Sequence, residues 1–180
     1  MKNLLLIMAC VFALSACQTA DKKATTATSA DSGYTVPDDA AIKKAVDDAY
    51  YAISFKKGEK PRYDSIKYYF IPQAQLINFR TDKMEIGSIS EFAGLYRQMV
   101  EKEHITMFYE EEAYGHTEQF GRIASRISTY NTYFNTRDTI AERGVNSFQL
   151  IKTPQGWKVS SIIWDVEKKS LPIPGYYLKK

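Results

Sequence analysis

The chain has 180 residues, a formal net charge of +3, two cysteines, two histidines and thirteen tyrosines. Lysines and acids are interspersed, so the clustered basic face of a nucleic-acid binder is absent and nucleic acid is not an expected partner. No paired-histidine spacing, glycine-rich phosphate loop or Ser-His-Asp arrangement is found, so neither a metal nor a cofactor is expected.

The N-terminus has three parts in order. Met1-Lys2-Asn3 carries one positive charge, Leu4 to Leu14 is almost unbroken apolar, and Ser15-Ala16 sets small residues directly before Cys17. This order makes an export signal over residues 1–16. The apolar run is about a dozen residues, short of the ~20 of a spanning helix. Leu14-Ser15-Ala16-Cys17 resembles the lipobox of bacterial lipoproteins. The resemblance implies cleavage before Cys17, a diacylglyceryl group on its thiol and an acyl chain on the new amine. Each buried methylene contributes about 0.8 kcal/mol, so several chains on one residue hold the protein to a membrane effectively permanently. Gln18 follows the cysteine, which under the sorting rule of enteric bacteria implies the outer membrane, facing the periplasm. Cys10 lies in the discarded segment, so the mature chain is expected to keep no free thiol and no disulfide. Gln18 to Thr35 is rich in Ala, Thr, Ser and Asp without apolar periodicity, and reads with Cys17 as a lipidated, flexible tether over residues 17–35.

From Val36 to Lys180 about 145 residues remain, enough for one domain with a core. Asp38 and Asp39 are N-cap candidates, and Ile42, Val46, Ala49, Tyr50 and Ile53 recur at helical spacing behind them. Lys57-Gly58-Glu59-Lys60 breaks that helix. Pro61 suits the first turn of a short second helix through about Tyr69, and Pro72 is expected to end it. Ala74 to Arg80 reads as a strand, followed by a turn at Thr81-Asp82 and a short strand at Lys83 to Ile86. Ser88 and Glu91 have capping-box spacing and open a third helix, with Phe92, Leu95, Tyr96, Met99 and Val100 on one face. Ile105 to Glu118 and Gly121 to Asn135 are long strands joined near Gln119-Phe120; Gly144 to Thr153 and Trp157 to Glu167 form a hairpin through Pro154-Gln155-Gly156. Leu171-Pro172-Ile173-Pro174 fits neither a helix nor a central strand. Helices followed by long antiparallel strands make an α+β pattern, a curved antiparallel sheet wrapped around three N-terminal helices.

The succession through Tyr69-Phe70-Ile71-Pro72-Gln73-Ala74 resembles the nuclear transport factor 2-like superfamily. So do Phe120-Gly121-Arg122-Ile123-Ala124 leading to Ser128-Thr129-Tyr130, the run Arg143 to Leu150, Gly156-Trp157 and Ile163-Trp164-Asp165. These segments and the ending Leu171-Pro172-Ile173-Pro174 with Tyr177-Leu178 resemble its SnoaL-like bacterial domains in particular. The resemblance implies a cystatin-like cone over residues 36–180, a ligand pocket between helices and sheet, and a homodimer through the outer sheet face. It selects no chemistry, because the superfamily hosts isomerases, dehydratases, hydrolases and binders.

Strand alternation nominates the pocket residues. Glu110, Glu112, Tyr114 and His116 share one face of their strand; Ser128 and Tyr130 share one in the next. A register summing to 240 sets Glu112 opposite Ser128 and Glu110 opposite Tyr130, with Glu112, Ser128 and Tyr130 facing the cone. Asn146 and Trp164 join them from the last two strands; likeness to the superfamily's ketosteroid isomerase branch, with its helix-borne tyrosine, implies Tyr50 of the first helix as well, the alternative being a core position. A carboxylate among aromatics acquires a raised pKa, so Glu112 with Tyr130 is the catalytic candidate for an isomerase, dehydratase or hydrolase. The alternative is an ion pair of Glu112 with Arg126 or Arg143. Arg143 and Asn146 suit the clamping and orienting of a ligand. The favoured reading is a membrane-tethered module binding a small, partly apolar or aromatic ligand; the others are an enzyme and a dimerisation module without ligand.

Overall fold

The computed structural model describes residues 36–178. The expected export signal, Cys17 and tether lie outside the described residues. Helix α1 (Asp39–Ile53) forms where the spacing predicts it and buries Ile42, Ala45, Val46, Ala49, Tyr50 and Ala52. Its outer face carries the i,i+4 pairs Lys43–Asp47 and Lys44–Asp48. Asp38 occupies the N-cap position, yet its side chain makes no capping bond. Lys152 Nζ (2.7 Å) and Gln119 Nε2 (3.1 Å) engage the carboxylate instead.

The second helix is a 3₁₀ helix (Tyr63–Tyr69), starting two residues after Pro61. Pro72 does not separate it from the next element. Strand β1 (Phe70–Asn78) begins directly after it, with Pro72 inside the strand. The proline is accommodated because the ladder slips there, between Phe70 and Gln75, and an irregular stretch needs no donated hydrogen bond. Strand β2 (Glu85–Ser88) pairs back on β1. Ser88 and Glu91 close the expected capping box, and helix α2 (Ile89–Lys102) buries Ile89, Tyr96 and Val100.

Strands β3 (Phe108–Phe120), β4 (Ile123–Phe134), β5 (Glu142–Thr153) and β6 (Gly156–Val166) complete a six-stranded sheet of order β2-β1-β6-β5-β4-β3. The sheet is curved, unclosed and mixed: β1 and β6 run parallel, which the expected all-antiparallel sheet did not include. A strand from the N-terminal half can join the far side of the β5–β6 hairpin in either direction, since no short turn dictates the pairing.

The β3–β4 register also differs from the expectation. Glu112 lies opposite Tyr130 and Glu110 opposite Thr132; after a bulge at Ala113, Gly115 lies opposite Ser128. The turn causes the first difference. It sits on Gly121-Arg122, not Gln119-Phe120, with Gly121 at φ +55°, the left-handed conformation that type II′ hairpin turns assign to glycine at their first central position. The bulge causes the second: it advances β3 by one residue, so Gly115 and Thr117 replace Tyr114 and His116 on the inner face.

The core lies between the inner sheet face and the helices, where Ile42, Val46, Ile66, Leu76, Phe148 and Val159 are almost wholly buried. On the outer face the C-terminal segment crosses back, and Thr129 Oγ1 donates to the Tyr177 carbonyl at 2.7 Å.

Candidate functional site

The strand ladders bring inward residues into rungs across β3, β4 and β5. One rung is Glu110–Thr132–Glu142, the next Glu112–Tyr130–Gly144, and beyond the bulge Gly115–Ser128–Asn146, extended by Trp164 of β6. The first rung lies at the end of the sheet where β1 finishes and β5 begins. There the helices do not close over the strands, and a cavity of about 400 Å³ remains. Phe92, Tyr96 and Met99 of α2, Phe108, Phe134, Phe148 and Trp164 of the sheet, and Ile66 make its walls largely apolar. Phe92 stacks on Tyr96 and meets Trp164 edge-on, so the ring positions are set by mutual packing. A shallower groove of about 440 Å³, between β2 and α2, shares Leu76, Asn78, Glu85, Phe92, Leu95 and Trp164 with the cavity and continues outward from it.

The polar groups form two clusters. Deep in the cone, the Tyr50 hydroxyl accepts from Asn146 Nδ2 at 2.9 Å and pairs with Ser128 Oγ at 2.7 Å. Burial pushes the Tyr50 phenol well above its usual range, which keeps it a neutral donor. Nearer the opening, Tyr130 Oη donates to Glu142 at 3.1 Å, and Arg80 holds the same carboxylate through Nε at 2.8 Å and a terminal nitrogen at 2.7 Å. Gly144 makes room for Tyr130: a Cβ there would come within 2.5 Å of the Asp165 carbonyl and 2.6 Å of the Tyr130 hydroxyl.

Glu110 stands apart from both clusters. Its carboxylate faces the cavity and accepts one hydrogen bond, from Thr132 Oγ1 at 2.7 Å. Among the described residues no cation pairs with it directly. Burial pushes its pKa up to about 7; the Thr132 bond and the Arg80 charge oppose this, and the Glu142 charge adds to it. Its position is held from behind, where the Glu110 amide donates to Ser54 Oγ at 3.0 Å, just past the end of α1.

Of the residues nominated from sequence, Tyr50, Tyr130, Asn146 and Trp164 line the cavity. Ser128 is wholly buried behind Tyr50. Glu112 forms a bidentate pair with Arg126 (2.6 and 2.8 Å), both side chains being 5% exposed, and lies outside the cavity wall. Gly115 is the residue this pair packs on: a Cβ there would sit 2.5 Å from both partners. Arg143 turns to the other sheet face and pairs with Glu167 at 2.7 Å. Sequence reasoning missed Glu110, Thr132 and Glu142 of the first rung, and Arg80. Glu110 was recognisable as a face-mate of Glu112, but only the register shows which of the two meets open space. Glu142 precedes the predicted start of its strand.

No protein-family model matches the chain, and no curated protein matches it significantly. Its fold is shared with solved structures. A cystatin-like protein of unknown function from Nostoc punctiforme superposes with a TM-score of 0.58 at 14% identity, over 77% of this chain and 96% of that one. A proposed scytalone dehydratase from Novosphingobium aromaticivorans superposes at 0.57 and 8% identity, over 73% and 85%. The yeast UBP3-associated protein BRE5 superposes at 0.56 and 9%, over 75% and 100%. A nuclear transport factor 2-like protein of unknown function from Methylobacillus flagellatus superposes at 0.51 and 13%, over 75% and 96%. The domain therefore has the cystatin-like, nuclear transport factor 2-like cone.

Proposed function

We propose that this domain binds a small, partly apolar ligand in the cone, and that the chain is a lipoprotein of SnoaL-like type held through Cys17 at the outer membrane, facing the periplasm. One observation carries the binding reading: an apolar-walled cavity of about 400 Å³ with a short row of convergent polar groups at its open end. That volume falls in the ~300–1,000 Å³ range of small-molecule sites, and the division into apolar walls and few polar groups is theirs too. The anchor rests on the lipobox-like Leu14-Ser15-Ala16-Cys17 and on the tether composition after it. A homodimer through the outer sheet face belongs to the same proposal.

Trp164 lines the cavity, and the chain has only one other tryptophan, Trp157. In the Trp157→Phe variant, titration with small neutral aromatics such as phenethyl alcohol is expected to change Trp164 emission saturably. A response that stays linear up to the solubility limit, with phenethyl alcohol and with its amine and acid counterparts alike, would rule the binding reading out.

A second reading is favoured by Glu110 alone. A carboxyl pushed up to about 7 beside the Tyr130 and Thr132 hydroxyls is poised as a general acid or base. Among the fold neighbours a proposed scytalone dehydratase and a proposed aromatic ring hydroxylase stand beside proteins of unknown function. Under this reading Glu110, not Glu112, carries the proton, because the Arg126 guanidinium occupies both oxygens of Glu112. Turnover of a bound compound would then be lost in Glu110→Gln.

A further inference from the structure

The charge lining the cavity is one-sided. Its ionisable carboxylates are Glu110, Glu142 and Glu85; its one cation among the described residues is Arg80. Arg80 is already committed to Glu142 through two nitrogens, and Glu85 accepts from Asn78 and Thr81. The outer groove adds Glu91 and no cation. Facing Glu110, the segment after β1 presents Arg80, whose charge is felt by Glu110 but whose hydrogen bonds go to Glu142. Helix α1 presents Tyr50, α2 presents Tyr96, β4 presents Tyr130 and Thr132, β5 presents Glu142, and β6 presents Trp164. Arg62 is nearby but directs its guanidinium to the carbonyls of Tyr51 and Ser54. Glu110 thus sits desolvated with a hydroxyl for company and an aromatic enclosure in front of it.

Resting on the binding reading above, we propose that the natural ligand carries a cationic head, a protonated amine on an apolar or aromatic body, and that Glu110 is its counter-ion. An anionic head would meet three carboxylates and one guanidinium already paired with Glu142, and a neutral head would leave the ionised form of Glu110 without a direct counter-charge. An ammonium satisfies it, and Tyr96, Phe108 and Trp164 line the same cavity, aromatic rings of the kind whose faces attract a cation. The apolar body fills the remaining volume against Phe92 and Phe148. The open groove along β2 and α2 gives it an entrance whose ionisable groups, Glu85 and Glu91, are acidic.

A matched trio tests this on the full-length Trp157→Phe chain, read by Trp164 emission: phenethylamine, phenethyl alcohol and phenylacetate. At about pH 8 the amine is expected to bind about tenfold more tightly than the alcohol, with phenylacetate weakest. The amine's advantage shrinks toward about pH 6 as Glu110 takes up a proton, and Glu110→Gln brings the amine down to the alcohol's affinity. Equal affinities for amine and alcohol, or tighter phenylacetate binding, would overturn the cationic head and leave the pocket reading standing. Binding of none of the three would overturn both. Should Glu110→Gln fail to fold, Arg80→Gln carries the same test with opposite sign. Freeing Glu142 must increase the amine's advantage, and an unchanged or reduced advantage rejects the proposal.

Discussion

Glu110 and Glu112 are two residues apart, on the same strand face before the bulge, and their chemistry diverges because of what each side chain meets. Glu112 reaches the guanidinium of Arg126, which stands further along β4 opposite Thr117; Glu110 meets a threonine hydroxyl and a void. The folded protein holds the Glu110 proton up to about pH 7, whereas the unfolded chain releases it near 4.5. Between those values the folded state binds more protons, so stability falls as pH rises, and the whole penalty is present above about 7. Its size is on the order of 1–3 kcal/mol, toward the lower end because the carboxylate faces a cavity and not packed hydrocarbon. Glu110→Gln is therefore expected to be more stable than the parent by about that amount at pH 8, and equal to it near pH 4. Urea unfolding at the two pH values measures the difference; a variant less stable than the parent at the higher pH would contradict the account. Of the cavity wall, Tyr130, Asn146 and Trp164 were recognisable from strand alternation, each being a polar or aromatic residue on a predicted inner face, and Tyr50 from the family resemblance. Glu110 was not singled out, because two acids on one face of one strand are indistinguishable until the facing strands are aligned.

At the scale of the elements, the bulge at Ala113 divides β3 into two functional halves. Before it, Phe108 and Glu110 line the cavity while Glu112 turns to Arg126; after it, Gly115 and Thr117 fall beneath the Glu112–Arg126 pair, with Thr117 Oγ1 also accepting from Arg126. This buried pair lies across β3 and β4 near the start of α1, where Asp39 is also within 3.5 Å of Arg126. Removing one partner leaves a charge with 5% exposure unmatched. Arg126→Met is expected to cost about 3–5 kcal/mol, and the double variant Glu112→Leu/Arg126→Met to recover most of it. A denaturant double-mutant cycle with additive single costs would show the pair to be energetically idle. The other elements depend on nearer neighbours. The Ser88–Glu91 box and the alternation of α1 are visible within a few residues, and both formed where they were predicted. Pro72 misled because its effect on a strand depends on whether the ladder needs its missing N–H at that position, which is decided by β6.

For the whole molecule, the two ends of the sheet are built differently. Asp38, at the start of α1, is bound to Gln119 at the β3–β4 tip, while Arg80, Glu85 and Glu142 line the cavity at the opposite end of the strands. The anchor has a direct check. Metabolic labelling with a clickable fatty acid is expected to mark the parent chain and not Cys17→Ser, and the variant is expected to move from the membrane to the soluble fraction. Equal labelling of the two chains would remove the lipoprotein proposal while leaving the pocket intact.

The amino-acid sequence by itself determined the element order, the α+β class, the hairpin between β5 and β6, and the division of most strand positions into inner and outer, all of which follow from periodicity and turn chemistry over a few neighbouring residues. Only the tertiary structure decided the parallel docking of β1 on β6, the bulge in β3 and the identity of the uncompensated carboxylate. Those depend on alignments between segments tens of residues apart. A shift of one residue there exchanges the two faces of a strand, and a shift of two exchanges an ion pair for an open cavity.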